Sequence, residues 1–582
     1  MQISDSHLRN TQWLAMLLAC VIAPNLAVNL VSSSATLNQL AALAGWGLVL
    51  LTMGATPVNW RTGPAVWALL LLLAAAWVSY FWAGLPMSLL LSYSGLLGAA
   101  LLLLMLGQGL GSGPRQAGFK ALCWGLLWAG LMGAVVSVVQ VFAPDWAGEV
   151  WIARSDIPGR ALGNLRQPNH LASSLIWACV AAVYLAEQRA LVTQRRSSAI
   201  WLLPAVLLVL VFGLVLSASR GGMAMLGVLL LWVLLDRCIS RPTRLAVLMT
   251  PLMLGLGWAA MSLWSQLGEH QFSAASRLAE GASSPKRLQY LACAWELLKQ
   301  HPWTGVGWGE FNFALTMTPM PGRPNSFVDH THNLLMQILV ELGWPAGLLV
   351  LGLLAAALKR AFQLGRNETA PSEALLRHAA LMLVCLILLQ GLLEFQLWYA
   401  YFLLPAAFAF GMALAPPSPS PESAERKPAR TRPLPLLGFL MVALSVLVFF
   451  DYLRVVAITV QPPNGMSLLD RITQAQQRSI FFSHQADYAA STFLLPGPEA
   501  LDAARRSAHN VSDESTLIAW ANSLVVSGDA DRARYVVQRL REFNLPRTRE
   551  WLAECERIAP DAKVRPYQCD APRRQYSYRE MR

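Results

Sequence analysis

Residues 199–235 read AIWLLPAVLLVLVFGLVLSASRGGMAMLGVLLLWVLL. Two apolar runs, 199–216 and 222–236, stand on either side of the short turn 217–221, where Arg220 is the charged residue. A helix of roughly 17–25 apolar residues is long enough to cross the hydrocarbon core of a bilayer. The pair therefore predicts two transmembrane helices joined by a tight turn, and it sets the pattern for the rest of the chain.

Similar apolar runs recur along the chain. Of the 582 residues, 55% are hydrophobic and 13% are charged, whereas an average soluble domain has about 25% charged residues. We predict an all-α, polytopic helical bundle in the inner membrane, with about thirteen transmembrane helices at 11–31, 35–54, 64–83, 89–106, 121–142, 171–187, 199–216, 222–236, 245–264, 333–356, 377–395, 401–415 and 434–453.

Basic residues orient this bundle. Alternate short loops between the predicted spans each carry basic residues, and the positive-inside rule places those loops in the cytoplasm. The formal net charge of +12 is thereby explained without nucleic-acid binding. The N-terminus is predicted to be cytoplasmic and the C-terminus periplasmic. The residues that define the cytoplasmic side are Arg61, Arg115, Lys120, Arg189, Arg195, Arg196, Arg237, Arg241, Arg244, Lys359, Arg360, Arg366, Arg377, Arg426, Lys427, Arg430 and Arg432.

The chain divides into a predicted transmembrane domain, 1–453, and a C-terminal periplasmic domain, 454–582. The first includes a long periplasmic loop, 265–332, and a Pro/Ser-rich cytoplasmic linker, 416–433. The tail alternates helical patterns with a Gly-Asp turn, which favours a small helical domain that resembles a tetratricopeptide unit. It holds Cys555 and Cys569, for which a disulfide and two free thiols are equally compatible with the sequence.

The sequence DHTHN, residues 329–333, stands where the long loop enters a predicted membrane helix. Ionisable groups at such positions are usually functional. A helix that begins near Thr331 would place His332 in its first turn, where the helix dipole favours a neutral imidazole that can act as a general base. His330 would then point to another face, so the two histidines share a metal ion only if this segment is extended. The alternative is that both are polar residues of the membrane interface.

Arginines on the periplasmic side form the second signal. Arg220 lies in SASRGG, and Arg287 lies in the long loop. A guanidinium binds phosphate oxygens with two parallel hydrogen bonds, so two such residues near the bilayer surface suit a diphosphate. The alternatives are that Arg220 extends along the helix end to reach water and that Arg287 is a solvated loop charge.

A third signal is GRALGNLRQPNHLASSL, residues 159–175, at the entry to another span. Its polar residues could bind sugars or phosphates, or Asn169 could simply cap the helix. The fourth is EFQLWYAYFLLP, residues 394–405, at a predicted periplasmic turn, where an aromatic belt is the alternative. The candidates in these two segments are Arg166, Gln167, Asn169, His170, Glu394, Tyr399 and Tyr401.

Together the four segments resemble the O-antigen ligase superfamily (Wzy_C-type), and within it the pilin-type O-oligosaccharyltransferases (PglL-like). GNLRQPNH, the segment from HTHN to GWPAG, and RLQYLACAWELLKQHPWTGVGWGEF carry the resemblance. It implies transfer of a whole glycan from undecaprenyl diphosphate to a Ser/Thr hydroxyl of a periplasmic protein or a type IV pilin, with no metal and no cofactor.

The resemblance also assigns roles residue by residue. It implies that His332 is the catalytic base, that Arg220 and Arg287 bind the diphosphate, and that Gln167 and a tyrosine, Tyr399 or Tyr401, are functional. The other candidates for substrate binding are Asn169, His170 and Asn333, with His330, Glu394, Tyr401 and Arg166 as further candidates.

Two other functions share this chemistry and differ in the acceptor: an O-antigen ligase that acts on lipid A core, and an O-antigen polymerase. The soluble tail favours a protein acceptor, because it offers a docking surface. A transporter of lipid-linked glycans would place charged residues or broken helices at the membrane midplane. The polar residues here cluster at one face, which disfavours a transporter.

Overall fold

The computed structural model describes residues 5–30, 35–54, 62–193, 199–268, 271–272, 285–417, 434–460, 465–558 and 565–582. Arg61, Arg195, Arg196, most of the predicted linker 416–433 with its four basic residues, and residues 273–284 of the predicted loop lie outside these ranges. The regular elements within them are helices, as the all-α prediction requires.

The α-helices are α1 (Asp5–Asn25), α2 (Thr36–Met53), α3 (Pro64–Ala83), α4 (Met87–Gly109), α5 (Ser112–Phe142), α6 (Pro168–Thr193), α7 (Ala199–Ser217), α8 (Arg220–Leu235), α9 (Arg241–Leu248), α10 (Thr250–Gly268), α11 (Pro285–Gln300), α12 (Phe311–Met317), α13 (Leu334–Arg366), α14 (Pro371–Gly391), α15 (Ala400–Leu414), α16 (Leu434–Thr459), α17 (Leu468–Arg478), α18 (Ser483–Phe493), α19 (Pro498–Ala508), α20 (Glu514–Val526), α21 (Ala530–Phe543) and α22 (Pro546–Arg557).

Each predicted span coincides with a helix. Among the described residues, nine helical segments are long and apolar enough to cross a membrane: α2 to α6, the continuous stretch of α9 and α10, α13, α14 and α16. The shorter apolar helices α7, α8 and α15 match three more predicted spans, and α1 matches the first. The chain is therefore a multi-pass helical membrane protein, while the number thirteen stays a prediction.

Two compact units are built from interleaved parts of the chain. The first unit comprises residues 1–69, 98–282 and 353–447, and the second comprises 70–97, 283–352 and 448–582. The predicted division at residue 453 into a transmembrane and a C-terminal domain stays a prediction.

In the first unit, α6 packs against α5, α7, α8 and α14. It is the most deeply buried of the candidate spans, because 89% of its apolar stretch is buried inside the protein. A buried ion pair joins α5 to α14, because Arg115 donates to Glu373 over 2.8 Å. A buried ion pair of this kind adds little net stability, because desolvation of the two charges offsets their attraction.

In the second unit, the backbone of the glycine-rich segment GVGWG, residues 305–309, is hydrogen-bonded to α13 next to a break in that helix. The backbone of Gly343 has φ 73° and ψ 176°, so α13 is two helices that meet at this residue. Val306 and Gly307 donate their N–H groups to the carbonyls of Val340 and Glu341, over 2.9 and 3.0 Å. A Cβ atom on Gly305 would lie 2.4 Å from the carbonyl oxygen of Glu341. These glycines permit a close backbone contact. The predicted span 333–356 therefore coincides with α13, and Gly343 interrupts it in its first half.

The long loop and the tail share one hydrophobic core in the second unit. Phe313, from the loop, stacks on Trp520, from the tail, with ring centroids 6.3 Å apart. Buried Glu310 accepts a hydrogen bond from Nδ1 of His509 at 2.8 Å, and the Tyr535 hydroxyl donates to the carbonyl of Met317 over 2.7 Å. The tail is thus packed on the loop that carries Arg287 and His332.

The tail is made of short helices, as the sequence predicts. Helices α20 and α21 pack on each other across a turn at Gly528, whose φ is +86°. Asp529, in the same turn, caps α21 by accepting from the N–H of Arg532. Cys555 and Cys569 form a disulfide, which settles the choice that the sequence left open. The tetratricopeptide-like character of this domain stays a prediction.

Candidate functional site

Gln167, the residue before Pro168, caps the N-terminus of α6. Its Oε1 accepts hydrogen bonds from the N–H groups of Asn169 and His170, at 2.5 and 2.9 Å. Helix α6 begins with Pro168, whose missing N–H needs no partner in a first turn. The sequence alternative that Asn169 is the cap is wrong, because Gln167 already occupies those donors. The side chain of Asn169 is thereby available for other contacts.

Asn169 links three segments of the first unit. Its Oδ1 accepts from the hydroxyl of Ser219 at 2.6 Å, and its Nδ2 donates to Oε1 of Glu394 over 2.7 Å. Ser219 is itself the N-cap of α8 and accepts from the N–H of Gly222. One carboxamide therefore fixes the start of α6, the start of α8 and the turn that follows α14. Asn169 and Glu394 were predicted as site residues, whereas Ser219 was not singled out.

Arg220 is the first residue of α8 and lies beside this network. Helix α8 starts at Arg220, two residues earlier than the predicted span. Its side chain is half-buried. The first turn of a helix attracts anions through its N–H groups and its dipole. A guanidinium and a helix N-terminus therefore coincide at one point.

His170 brings the two candidate tyrosines together. The hydroxyl of Tyr401 and Nδ1 of His170 are 3.2 Å apart, within hydrogen-bond distance. The ring of Tyr399 meets the imidazole edge-to-face, with centroids 4.6 Å apart. Tyr401 is buried and Tyr399 is half-buried. Tyr399 is thus the more accessible of the two, and the role of each stays a prediction.

Arg166 is held by partners other than Asn169, Ser219 and Glu394, the three residues of the Asn169 network. It adopts φ +53°, and its Nη2 donates to the Glu149 carboxylate over 2.5 Å and to the carbonyl of Ala27 over 2.8 Å. Although partial burial of Glu149 opposes ionisation, hydrogen bonds from Arg154 and Arg166 lower the pKa of this carboxyl group. The arrangement indicates that Arg166 fixes the loop.

A buried glutamine that the sequence did not single out holds the same loop in place. Gln140 accepts from the N–H groups of Leu162 and Gly163 at 2.9 and 2.8 Å, and it donates to the carbonyl of Ala153 over 2.7 Å. It lies inside an apolar run, where a single polar residue was the available signal. Its role is to position the segment 159–167 at the entry of α6.

In the second unit, Asn333 is the N-cap of α13. Its Oδ1 accepts from the N–H of Met336 at 3.0 Å, and its carbonyl accepts from the N–H of Gln337 at 2.9 Å. The helix therefore begins at Leu334. The expectation that His332 lies within the first helical turn is wrong, because His332 precedes the cap. Asn333 has a capping role, and its predicted contact with substrate stays a prediction.

The two histidines lie close together. His332 has φ +54°, and its ring centroid is 4.2 Å from that of His330. The prediction that they project to different faces is wrong, because neither residue is helical. His330 is buried and pairs through Nδ1 with Asp329. Although burial opposes ionisation of Asp329, this hydrogen bond lowers the pKa of its carboxyl group.

Helix α11 brings Arg287 into the neighbourhood of His332. Tyr290 is buried and stacks on the imidazole of His332, with centroids 5.6 Å apart and planes 19° from parallel. Arg287 and Tyr290 are three residues apart on α11, and such residues share a helix face. Arg287 is half-buried. The helix face that supports the imidazole therefore also carries the guanidinium. Tyr290 was not singled out from the sequence.

A second cluster of polar side chains lies in the first unit at the other end of α8. Asp236, Cys238 and His378 each contribute one atom that could bind a metal ion, and these three atoms lie within 4.8 Å of one another. The carboxylate of Asp236 already accepts from Trp232 and contacts Nδ1 of His378, both at 2.9 Å. These bonds explain the cluster as a joint between α8 and α14. Helix α8 has sixteen residues, so this end lies roughly 24 Å from Arg220.

Two glutamines near the Asn169 network are fully buried, and neither was proposed as a site residue. Among the described residues, neither the amide oxygen nor the amide nitrogen of Gln390 or Gln396 has a hydrogen-bond partner. Gln390 is the penultimate residue of α14. Its backbone carbonyl accepts from the N–H of Glu394 at 2.8 Å, which places it one turn from a member of the network.

Three known protein families match parts of the chain that include these site residues. A family described as O-Antigen ligase matches residues 205–351, which include Arg220, Arg287 and His332. A family described as Protein glycosylation ligase matches residues 161–186, with Gln167 and Asn169. A third, described as Virulence factor membrane-bound polymerase, C-terminal, matches residues 378–551.

One curated relative is a General O-oligosaccharyltransferase of Acinetobacter baylyi. It is 27% identical over 349 residues, and the match covers 56% of this chain and 56% of the relative. The chain thus spans little more than half the length of that relative. The family matches cover both halves of the chain and the segments that build the site. They show that the chain is similar to the O-antigen ligase superfamily and to its protein O-oligosaccharyltransferases.

Proposed function

We propose that the protein is an O-oligosaccharyltransferase, which transfers a glycan en bloc from undecaprenyl diphosphate to a Ser/Thr hydroxyl of a periplasmic protein or a pilin. The observation that carries this proposal is the placement of His332. A general base must be held within hydrogen-bond reach of the proton that it removes. His332 is stacked on Tyr290, and Arg287 lies on the same face of α11.

The reaction is a displacement at the anomeric carbon. The acceptor oxygen forms a bond to that carbon, the bond from the carbon to the diphosphate oxygen breaks, and the diphosphate leaves with the electron pair. His332 accepts the proton of the acceptor hydroxyl. Arg220 and Arg287 bind the diphosphate and stabilise the negative charge that develops on it. The glycosyl diphosphate bond supplies the driving force, so no nucleotide is consumed.

The site residues divide into those that bind and those that position. Asn169, Ser219 and Glu394 hold Arg220 through the capped start of α8. Gln167, His170 and one of the two tyrosines are proposed to contact the glycan or the acceptor. On the predicted topology, these segments and the C-terminus face the periplasm of a bacterial inner membrane.

The family matches also favour a second candidate function. Two of the matched families are described as a ligase of O-antigen and a membrane-bound polymerase. Both would use the same base and arginines but a sugar hydroxyl as acceptor. The tail remains our proposed docking surface for a protein acceptor. Because its core is shared with the loop, surface substitutions test that role more cleanly than deletion of the tail.

Catalysis is tested by reconstitution. The purified protein in liposomes receives an undecaprenyl diphosphate-linked glycan and an acceptor peptide with serine. Removal of a general base typically costs about 10²–10⁴ in rate, so we expect this loss in His332→Ala and in His332→Asn. The matched control is His301→Gln, because the His301 ring packs on Tyr578 in the same unit. Wild-type rates in His332→Ala would overturn the assignment of the base.

The arginines are tested by charge-conserving substitutions. Arg220→Lys and Arg287→Lys keep the charge but lose the paired hydrogen bonds. We expect transfer to fall about 10- to 100-fold, the loss of one charge-assisted hydrogen bond, without loss of protein from the membrane. The control is Arg534→Lys, whose guanidinium pairs with Asp570 in the tail. Full activity of Arg220→Ala would show that it only extends towards water at a helix end.

The acceptor is identified in cells. Deletion of the gene is followed by mass spectrometry of surface pilins and by electrophoresis of lipopolysaccharide. Loss of pilin glycosylation with unchanged lipopolysaccharide supports the proposal. Loss of O-antigen from lipid A core, or shorter O-antigen chains, would instead identify the ligase or the polymerase.

A further inference from the structure

Gln390 is a buried polar side chain for which the described structure provides no partner. It has no exposed surface, and neither atom of its carboxamide is hydrogen-bonded among the described residues. A buried polar group without a partner costs about 1–3 kcal/mol. Hydrophobic residues fill the rest of the second half of α14, LMLVCLILL, so an apolar residue would suit this position better. A bound ligand would supply the hydrogen-bond partners that this amide lacks.

The carboxamide lies against the start of α8, next to Arg220. A Cβ atom on Gly221 would lie 2.6 Å from Oε1 and 2.8 Å from Nε2 of Gln390. Any side chain at residue 221 would therefore displace the amide. Gly221 thus leaves room for Gln390 at the first turn of α8, which is where Arg220 is proposed to bind the diphosphate.

The chemistry of the amide restricts its ligand. A carboxamide offers two N–H donors and an accepting oxygen. A phosphate only accepts hydrogen bonds and would leave the oxygen without a partner. A hydroxyl or an acetamido group both donates and accepts, so either can satisfy both sides of the amide. In a glycosyl diphosphate, groups of this kind lie on the sugar that is joined to the phosphate.

We propose that Gln390 hydrogen-bonds the hydroxyl or acetamido substituent next to the anomeric carbon of the first sugar, and so selects lipid-linked donors by that sugar. The inference rests on the proposed function, because it takes Arg220 to bind the adjoining diphosphate. It adds a specificity-determining residue to the reaction. Gln390 recognises the sugar nearest the lipid, independently of the remaining length of the glycan.

The test uses three synthetic donors that differ at one position. Each is a polyprenyl diphosphate monosaccharide with an acetamido group, a hydroxyl group or hydrogen next to the anomeric carbon. Two neutral hydrogen bonds correspond to about 10- to 100-fold in kcat/KM. We expect the wild-type protein to prefer one of the two substituted donors, whichever it uses better, over the deoxy donor by this factor. In Gln390→Leu, the preference is expected to collapse because both substituted donors fall to the rate of the deoxy donor.

Gln108→Leu is the matched control. Gln108 is a buried glutamine of the same unit whose Oε1 also lacks a partner, and its backbone lies against Gly411, away from the Asn169 network. We expect this variant to keep the wild-type preference. Gln390→Met serves in place of Gln390→Leu if the branched side chain prevents insertion.

The outcomes separate this inference from the proposed function. A wild-type protein that uses the deoxy donor as well as the substituted donors would overturn the inference, with no variant needed. So would a variant of Gln390 that keeps the wild-type preference. If the wild-type protein transfers sugar from none of the lipid diphosphates, the proposed function itself fails, and the role of Gln390 fails with it.

Discussion

The imidazole of His332 and the ring of Tyr290 form an offset stack, with centroids 5.6 Å apart and planes 19° from parallel. His332 also has a φ of +54°. A non-glycine residue in this region costs roughly 1–3 kcal/mol and persists only where its surroundings hold it. The hydroxyl of Tyr290 contacts that of Ser326 at 2.8 Å, so the supporting ring is itself fixed.

This stack predicts that Tyr290 positions the base. Tyr290→Leu removes the flat support, and we expect kcat to fall about 10-fold, with a smaller change in KM, because misplaced catalytic groups lose rate more than binding. Tyr290→Phe keeps the ring and should keep most of the rate. Steady-state kinetics of the two variants provide the measurement. Equal losses in both would assign the effect to the hydroxyl and contradict a role for stacking.

Asn169 is predicted to matter for activity beyond its effect on stability. Asn169→Leu breaks the bonds to Ser219 and Glu394, so the starts of α6 and α8 are no longer linked. We expect a loss of about 2 kcal/mol in the free energy of unfolding, for two hydrogen bonds, and a fall in transfer per folded molecule.

Asn38→Leu is the control for Asn169. The buried Asn38 donates to the carbonyls of Ala23 and Leu26, so its loss removes an equal number of hydrogen bonds elsewhere in the same unit. Thermal unfolding and transfer are measured for both variants. If the folded fractions of the two are equally active, Asn169 has a structural role alone.

Gly221→Ala is predicted to act through Gln390. The new Cβ atom would displace the carboxamide, from which it would lie 2.6 Å away, and we expect the preference for substituted donors to weaken. Gly227→Ala, in the same helix, meets no atom within 4 Å. It should leave the preference intact and slightly stabilise the helix. The comparison fails if the two alanine variants select donors equally.

His484 predicts a pH-dependent stability of the tail. Burial lowers the pKa of His484 from 6.5 to about 4, with Asp487 opposing. In the unfolded chain the imidazole takes up a proton below pH 6.5, whereas the folded protein stays neutral until about pH 4. Stability is therefore lost as the pH falls through this window, by about 3 kcal/mol when the pH reaches the lower pKa.

The measurement compares unfolding temperatures at pH 7.5 and 5.5. His484→Gln keeps a side chain that can hydrogen-bond the hydroxyl of Ser88, the partner of Nδ1 at 2.9 Å, but it does not titrate. We expect the wild-type protein to lose more stability at pH 5.5 than the variant does. An identical pH dependence in both proteins would show that His484 does not make this contribution.

The sequence predicts the helices well because the bilayer imposes a strong pattern. Apolar runs of the required length are few in a soluble protein, and each predicted one coincides with a helix. The segments around Gln167, Arg220 and Glu394 were also predicted, since polar residues at the ends of apolar runs are conspicuous. The pattern does not specify the role of each polar side chain. Gln167 caps α6, although Asn169 is the better capping residue by propensity.

Other features depend on contacts between residues far apart in the sequence. The break at Gly343 requires the carbonyls of Val340 and Glu341 to meet the loop residues Val306 and Gly307, and no local rule specifies that pairing. The start of α13 at Leu334, instead of near Thr331, is set by the side chain of Asn333, which caps the helix. Gln390 gave no signal either, since one glutamine at the end of an apolar run is usually an interfacial residue.

The interleaved construction of the second unit has a consequence for how the chain is made. Its core joins Phe313 of the loop to Trp520 and Tyr535 of the tail, about two hundred residues later in synthesis. On the predicted topology, the loop emerges from the translocation machinery long before its partner exists. It must wait, with its apolar face uncovered, until the last membrane helix has been inserted. Assembly of this unit is therefore a late event in biogenesis, and a periplasmic chaperone that protects apolar segments would serve this protein during that interval.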